Sequence, residues 1–299
     1  MKTRNLNYLL TVALFGMLAM VSCKKENNNN GADVTKEDAY AAAQDDATAG
    51  DSYDEIYSES EDVVSKEESN KYNNSPDLKS ASATGTRKVT VTIGSGDTTV
   101  YPKTITVEFS NWIGKNGRKK NGIIYITQSA KMWKKDAVRT ILFTDFLIND
   151  SIKIEGLKTI TNKGLVAGKF TIEVKLQNGK VTNLNSGKFV TREFNRTRIW
   201  DNNSTPFWIW DDSYTITGTA SGINKKGYSY TSTIAVANPL LIKIGCPWIR
   251  SGVITIVVEE TKTISIDFGN GNCDKKYTVK VDGESKEDNS TAGVETTGL

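Results

Sequence analysis

From residue 87 onward, apolar and polar residues alternate with a period of two. Val89, Val91 and Ile93 are separated by Thr, and Ile105, Val107 and Phe109 by Thr and Glu. The same alternation returns at Phe170–Leu176, at Ile264, Ile266 and Phe268, and at Tyr277, Val279 and Val281. One apolar and one polar face per strand is the mark of antiparallel sheet with a solvated side. Further strands are expected at about 121–128, 138–148, 151–156, 180–185, 213–219, 227–236, 240–245 and 252–259. Turn chemistry punctuates them at Asn116-Gly117, Asn121-Gly122, Asn178-Gly179 and Asp282-Gly283. Only Lys131–Val138 could make a short turn of helix. About 13 or 14 short strands imply an all-β fold, an antiparallel multi-stranded sandwich, a meander or an open barrel. The pattern assigns 87–283 to this domain and 284–299 to a disordered tail, with a division into two sheet units conceivable near 196–212.

The chain begins differently. Lys2 and Arg4 precede an apolar run from Leu9 to Val21, too short for a comfortable bilayer span. The run ends in Ala19-Met20-Val21-Ser22-Cys23, which resembles the lipobox of bacterial lipoproteins, with Met20 where Leu is usual. Such proteins are cut before the Cys and lipidated on it. The resemblance implies a signal peptide over 1–22, lipidation at Cys23 and a membrane contact through acyl chains alone. Lys24-Lys25-Glu26 and the Asn run make 23–35 a polar tether.

Between tether and sheet, the apolar positions Tyr40, Ala43, Ala47, Tyr53, Tyr57 and Val64 fit one face of a short acidic helix over 36–65. Thr35 with Asp38 three residues on supplies an N-cap signal. The stripe is thin and Ala-rich, so composition favours a mobile acidic stalk; the competing reading folds the helix back onto the basic domain to cover a site. Ser, Asn and Lys mark 66–86 as linker. Charge sharpens this contrast, because residues 24–84 carry a net −9 and residues 85–299 a net +10.

The chain has no His and three Cys. It can form neither a Ser-His-Asp triad nor a His-based or four-Cys metal site. With Cys23 assigned to the anchor, Cys246 and Cys273 remain. In a meander, strand 240–245 ends at Cys246, and the strand after next runs back to end just before Cys273. Both then lie at one end of the sheet in neighbouring turns, which suits a disulfide; two buried thiols are the alternative. Asn270, Asn272 and Asp274 alternate as in calcium loops, yet the distal bidentate Glu is missing, and a glycine-rich hairpin turn is the favoured reading. No metal, no cofactor and no catalytic residue is assigned.

Gly245-Cys246-Pro247-Trp248-Ile249, followed by Asp267-Phe268-Gly269-Asn270-Gly271-Asn272-Cys273-Asp274, resembles a pattern in uncharacterised surface and envelope lipoproteins of the Bacteroides–Flavobacterium group. The likeness covers about the last third of the chain. It implies a lipoprotein with a β fold, anchored in the cell envelope and most naturally at the outer membrane. No activity comes with it.

Two clusters carry candidate chemistry. Trp200, Trp208 and Trp210 stand beside Asp211 and Asp212. Rings that stack on sugar faces, next to carboxylates that accept hydroxyl bonds, suit a glycan surface; rings closing one end of the sheet is the plainer alternative. Lys115, Arg118, Lys119 and Lys120 form a basic loop that would attract a polyanion, or merely solvate a hairpin. Nucleic acid is not expected outside the cytoplasm, so a glycan or the acidic N-terminal segment is the better partner for these cations. The expectation is an exported, non-enzymatic lipoprotein: a binding module for a glycan or polyanion, or a structural and adhesion protein working through contacts with envelope proteins.

Overall fold

The structure, a computed structural model, describes residues 33–68, 85–93, 100–114, 117–201, 212–244, 246 and 248–286. The proposed signal peptide and Cys23 lie outside the described residues, as do Lys115, Trp208, Trp210 and Asp211.

One helix, α1 (Lys36–Glu68), precedes fourteen strands. These are β1 (Thr86–Ile93), β2 (Lys103–Ile113), β3 (Lys119–Gln128), β4 (Val138–Ile148), β5 (Ile152–Val166), β6 (Lys169–Asn183) and β7 (Phe189–Asp201). They continue with β8 (Ser213–Ile223), β9 (Ser229–Ile234), β10 (Leu240–Lys243), β11 (Ser251–Val258), β12 (Lys262–Asn270), β13 (Thr278–Val281) and β14 (Glu284–Lys286). All fourteen strands form a single antiparallel sheet in which, apart from β9 and β10, each strand lies beside its neighbours in the chain. The fold is therefore an all-β meander. β9 and β10 share one place in it: both pair with β8, β9 opposite Gly218–Ile223 and β10 opposite Ser213–Ile216, so they act as one interrupted strand. Among the described residues, β1 and β14 do not pair with each other, so the sheet does not close into a barrel.

Several boundaries differ from the sequence reading. α1 has 33 residues and is not short. β14 covers Glu284–Lys286, so the sheet extends beyond the expected boundary at 283. β7 and β8 run unbroken on both sides of 202–211 and pair along their whole length, so the sheet is not divided there. The Asn178-Gly179 step is not a hairpin turn but a bulge inside β6, and Asn121-Gly122 is likewise a bulge inside β3. Asp282-Gly283 does form a two-residue turn, with both residues at positive φ.

The bulges have a collective effect. Register shifts fall at Phe109/Trp112 in β2, Asn121/Ile123 in β3, Leu142/Phe146 in β4, Glu155/Leu157 in β5 and Leu176/Gly179 in β6. Five successive strands are thus kinked along one line, and a line of bulges bends a sheet toward one face. Gly122 shows why a side chain is excluded there. It holds φ at +105°, and a Cβ would sit 2.3 Å from the Asp145 carbonyl oxygen.

The bent face receives α1. Thr35 and Asp38 cap it reciprocally, the Asp38 N–H donating to Thr35 Oγ1 and the Thr35 N–H to Asp38 Oδ2, both at 3.1 Å. The second half of the helix buries Tyr53, Ile56, Val63 and Val64 among inward residues of β2–β6 such as Ile124, Phe146 and Ile154. The first half buries Ala39, Ala42 and Ala43 against Tyr214, Ile256, Phe268 and Val281. The stalk reading therefore fails, and the helix lies along the interior of the sheet. Each fully buried aliphatic side chain such as Ile56 contributes about 1.5–3 kcal/mol. This burial supplies what the helix's weak intrinsic stability lacks.

Candidate functional site

The basic loop and the acidic helix meet each other. Arg118 lies 2.6 Å from Glu55, and Lys120, fully buried, lies 2.9 Å from Glu55 and 3.2 Å from Glu59. Lys119 pairs with Asp150 in the turn after β4. Of the four residues expected to draw in an external polyanion, three are thus engaged within the chain and Lys115 lies outside the described residues. Further pairs seat the rest of α1. Arg87 bridges Glu59 at 2.9 Å and Asp62 at 2.8 Å, Arg139 pairs with Glu61, Arg192 with Asp46, and Lys225 with Asp45 at 2.8 Å. Asp38 is held below the usual carboxylate range by hydrogen bonds from Lys226 and Thr35. Buried ion pairs gain little net energy but specify register, because shifting the helix would strand each charge.

Near the middle of the helix the fit loosens. A cavity of about 1310 Å³ lies between α1 and strands β6–β13. This is above the ~300–1,000 Å³ usual for ligand sites. Its walls are mainly apolar, including Phe170 and Ile172 on β6, Phe194 on β7, Ile216 on β8, Ile254 on β11 and Phe268 on β12. Across it the helix presents Ala43, Ala47 and Gly50, too small to fill the space, together with Asp51 and Asp54.

β7 gives this cavity its charge. Its alternate residues Arg192, Phe194, Arg196, Arg198 and Trp200 all line the space. Side chains two apart on a strand share a face at a spacing of about 6.6–6.8 Å. Arg192 is taken by Asp46, donating to both its side chain and its carbonyl. Arg196 donates only to the Gly218 carbonyl at 3.2 Å. Arg198 lies 5.9 Å from the Tyr57 ring, and its buried Nε–H has no acceptor. Among the described residues neither Arg196 nor Arg198 forms an ion pair. Burial, with Arg192 adjacent, pushes the Arg196 guanidinium down to about 10. Burial also pushes the Tyr57 hydroxyl up to about 12, with Glu61 adding to the shift, and raises Tyr214 well above its usual value. Both phenols are therefore neutral, and among the described residues the Tyr214 hydroxyl has no hydrogen-bond partner.

Of the residues expected at a glycan surface, Trp200 lines this cavity and Asp212 is hydrogen-bonded to Trp200. Trp200 stacks on Tyr214 with ring centroids 5.6 Å apart, and its indole N–H donates to Asp212 Oδ2 at 2.9 Å. Asp212 is buried. Trp200 therefore has one face and its indole N–H occupied from within the chain, while the ring also lines the cavity. Cys246 and Cys273 are bonded, tying the turn after β10 to the turn after β12.

The arginine row was absent from the sequence reading, which found no strand over 189–201. The available signal was Arg at alternate positions between Val190 and Trp200, where other strands carry apolar residues. No family model matches the chain, and no curated protein or solved structure matches it.

Proposed function

We propose that this protein is a lipid-anchored, non-enzymatic binding protein of the bacterial cell envelope, most naturally at the outer membrane, that holds its ligand between helix and sheet. One observation carries the reading: a large, mostly apolar cavity opens between the helix and the sheet. Apolar walls of this extent stand against water unless something covers them, and that favours an occupant. The lipobox-like segment ending at Cys23 supports the anchor, and the bonded Cys246 and Cys273 suit an oxidising compartment. The described cations of the basic loop pair with the helix carboxylates and Asp150, which supports a ligand surface in the cavity.

The test is saturable binding of a neutral hydrophobic dye, N-phenyl-1-naphthylamine, to the full-length protein. The expected result is one saturable site with enhanced fluorescence, weakened at least tenfold by Ile254→Trp, which fills the cavity while leaving the circular dichroism unchanged. Absence of saturable binding, or binding indifferent to Ile254→Trp, would overturn the reading in favour of a structural protein acting through its sheet edges.

A further inference from the structure

The cavity's apolar walls and its arginines make contradictory demands on most ligands. A purely apolar molecule would leave Arg196 and Arg198 desolvated without an anion. A purely polar one would leave Phe170, Ile216 and Phe268 without contact. Only a molecule with both properties satisfies both. Resting on the binding reading above, we propose that the ligand is a long-chain amphiphile with an anionic head group. Arg196 and Arg198 hold the head, and the aliphatic chain runs along the inward side chains of β8–β12.

The placement follows from β7. Arg192 at one end of the row is neutralised by Asp46. Trp200 at the other end is engaged by Asp212 and Tyr214. Arg196 and Arg198 lie between, on the same strand face, close enough for both to reach one carboxylate or phosphate. Helix carboxylates also line the space, and four of them have cationic partners elsewhere: Asp45 with Lys225, Asp46 with Arg192, Asp54 with Lys158 and Glu61 with Arg139. The Tyr57 ring lies beside Arg198, and the unpartnered Tyr214 hydroxyl offers a further donor. From that point the walls are aliphatic and aromatic: Ile216, Ile234, Ile254 and Phe268. A carboxylate or a phosphate fits the same pair of arginines, so a fatty acid and a lysophospholipid acid share the recognising chemistry.

The test compares ligands that differ only in their head group. Full-length protein is titrated with oleate, with oleoyl lysophosphatidate and with oleyl alcohol, each displacing N-phenyl-1-naphthylamine. The expected result is that at least one of the two anions binds ten times or more tighter than the alcohol; whichever binds tighter names the head group. Arg196→Met with Arg198→Met should abolish this preference and leave oleyl alcohol within about twofold. Arg198→Gln alone gives a milder variant, expected to lose about half of the preference on a logarithmic scale, should the double variant misfold. Equal binding of alcohol and both anions, or a preference that survives Arg198→Gln undiminished, overturns the inference while leaving the cavity reading intact. Failure of the dye itself to bind removes both.

Discussion

The Lys120 ammonium, with no exposed surface, lies 2.9 Å from the Glu55 carboxylate across the interface between β3 and the helix. Each residue stands where a solvated position would be assigned from its type alone, and each is tolerated in the interior because the other is there. A buried charge without its partner is costly, so this pair should act as a unit. Lys120→Met and Glu55→Gln are each expected to destabilise the fold by about 1–3 kcal/mol, with the double variant less damaged than the sum. Chemical denaturation of the four proteins gives the coupling; strictly additive losses would show that the pair does not help seat the helix.

Lys158 lies in a different balance. It is fully buried at an inward position of β5, over the Tyr57 ring, and burial pushes it down to about 8 despite Asp54 nearby. Below that pH the lysine is charged in both folded and unfolded chains, and its desolvation cost is fully present. As pH rises from about 8 toward the ordinary value of 10.5, the folded state releases the proton first and the cost disappears. Lys158→Met should therefore be neutral or stabilising by about 1–3 kcal/mol at pH 7. Wild type should gain stability relative to the variant between pH 8 and 10.5, as read from melting curves across that range. A wild type that loses ground over this interval would contradict the assignment.

Gly122→Ala should cost about 2–4 kcal/mol, because the new methyl meets a backbone oxygen at a positive φ. Gly117, at positive φ in the loop just before β3 with nothing within 4 Å of a Cβ, gives the control: Gly117→Ala should cost clearly less. Equal melting temperatures for the two would separate the bulge line from the bending of the sheet.

The bond between Cys246 and Cys273 closes a sequence separation of 27 residues that contains β11 and β12. Cys246→Ala with Cys273→Ala should lower stability by about 2–4 kcal/mol. Addition of reductant to wild type should reproduce the shift and leave the variant unmoved.

Much of the sheet was legible because inward positions of β2, β6, β12 and β13 are apolar at period two. β7 was not, because Arg192, Arg196 and Arg198 occupy the inward positions and erase the hydrophobic signal. The length and docking of α1 were hidden for the same reason in mirror image. Glu55, Glu59 and Asp62 look like a solvated face until Arg87, Arg118 and Lys120 are known to point inward. A charge written at a core position becomes interpretable only together with its opposite on another element. The disulfide was legible because it followed from strand counting alone. The cavity was not, since it depends on how far Ala43, Ala47 and Gly50 stand from the opposite wall.

The meander and the helix impose an order on assembly. Neighbouring strands can pair as soon as they exist, because every pairing is local in the chain. The helix's first half has no such neighbour: Ala39 shares its core with Val281. At roughly 5–20 residues per second, about 12–50 s of synthesis separates those two positions. The second half of the helix can settle once β6 is complete, but the core around Ala39, Ala42 and Ala43 begins to form only with β8 and is finished only when β13 arrives. The part of the described chain that is made first is thus among the last to be buried, and a nascent chain must be kept from aggregating for that whole interval.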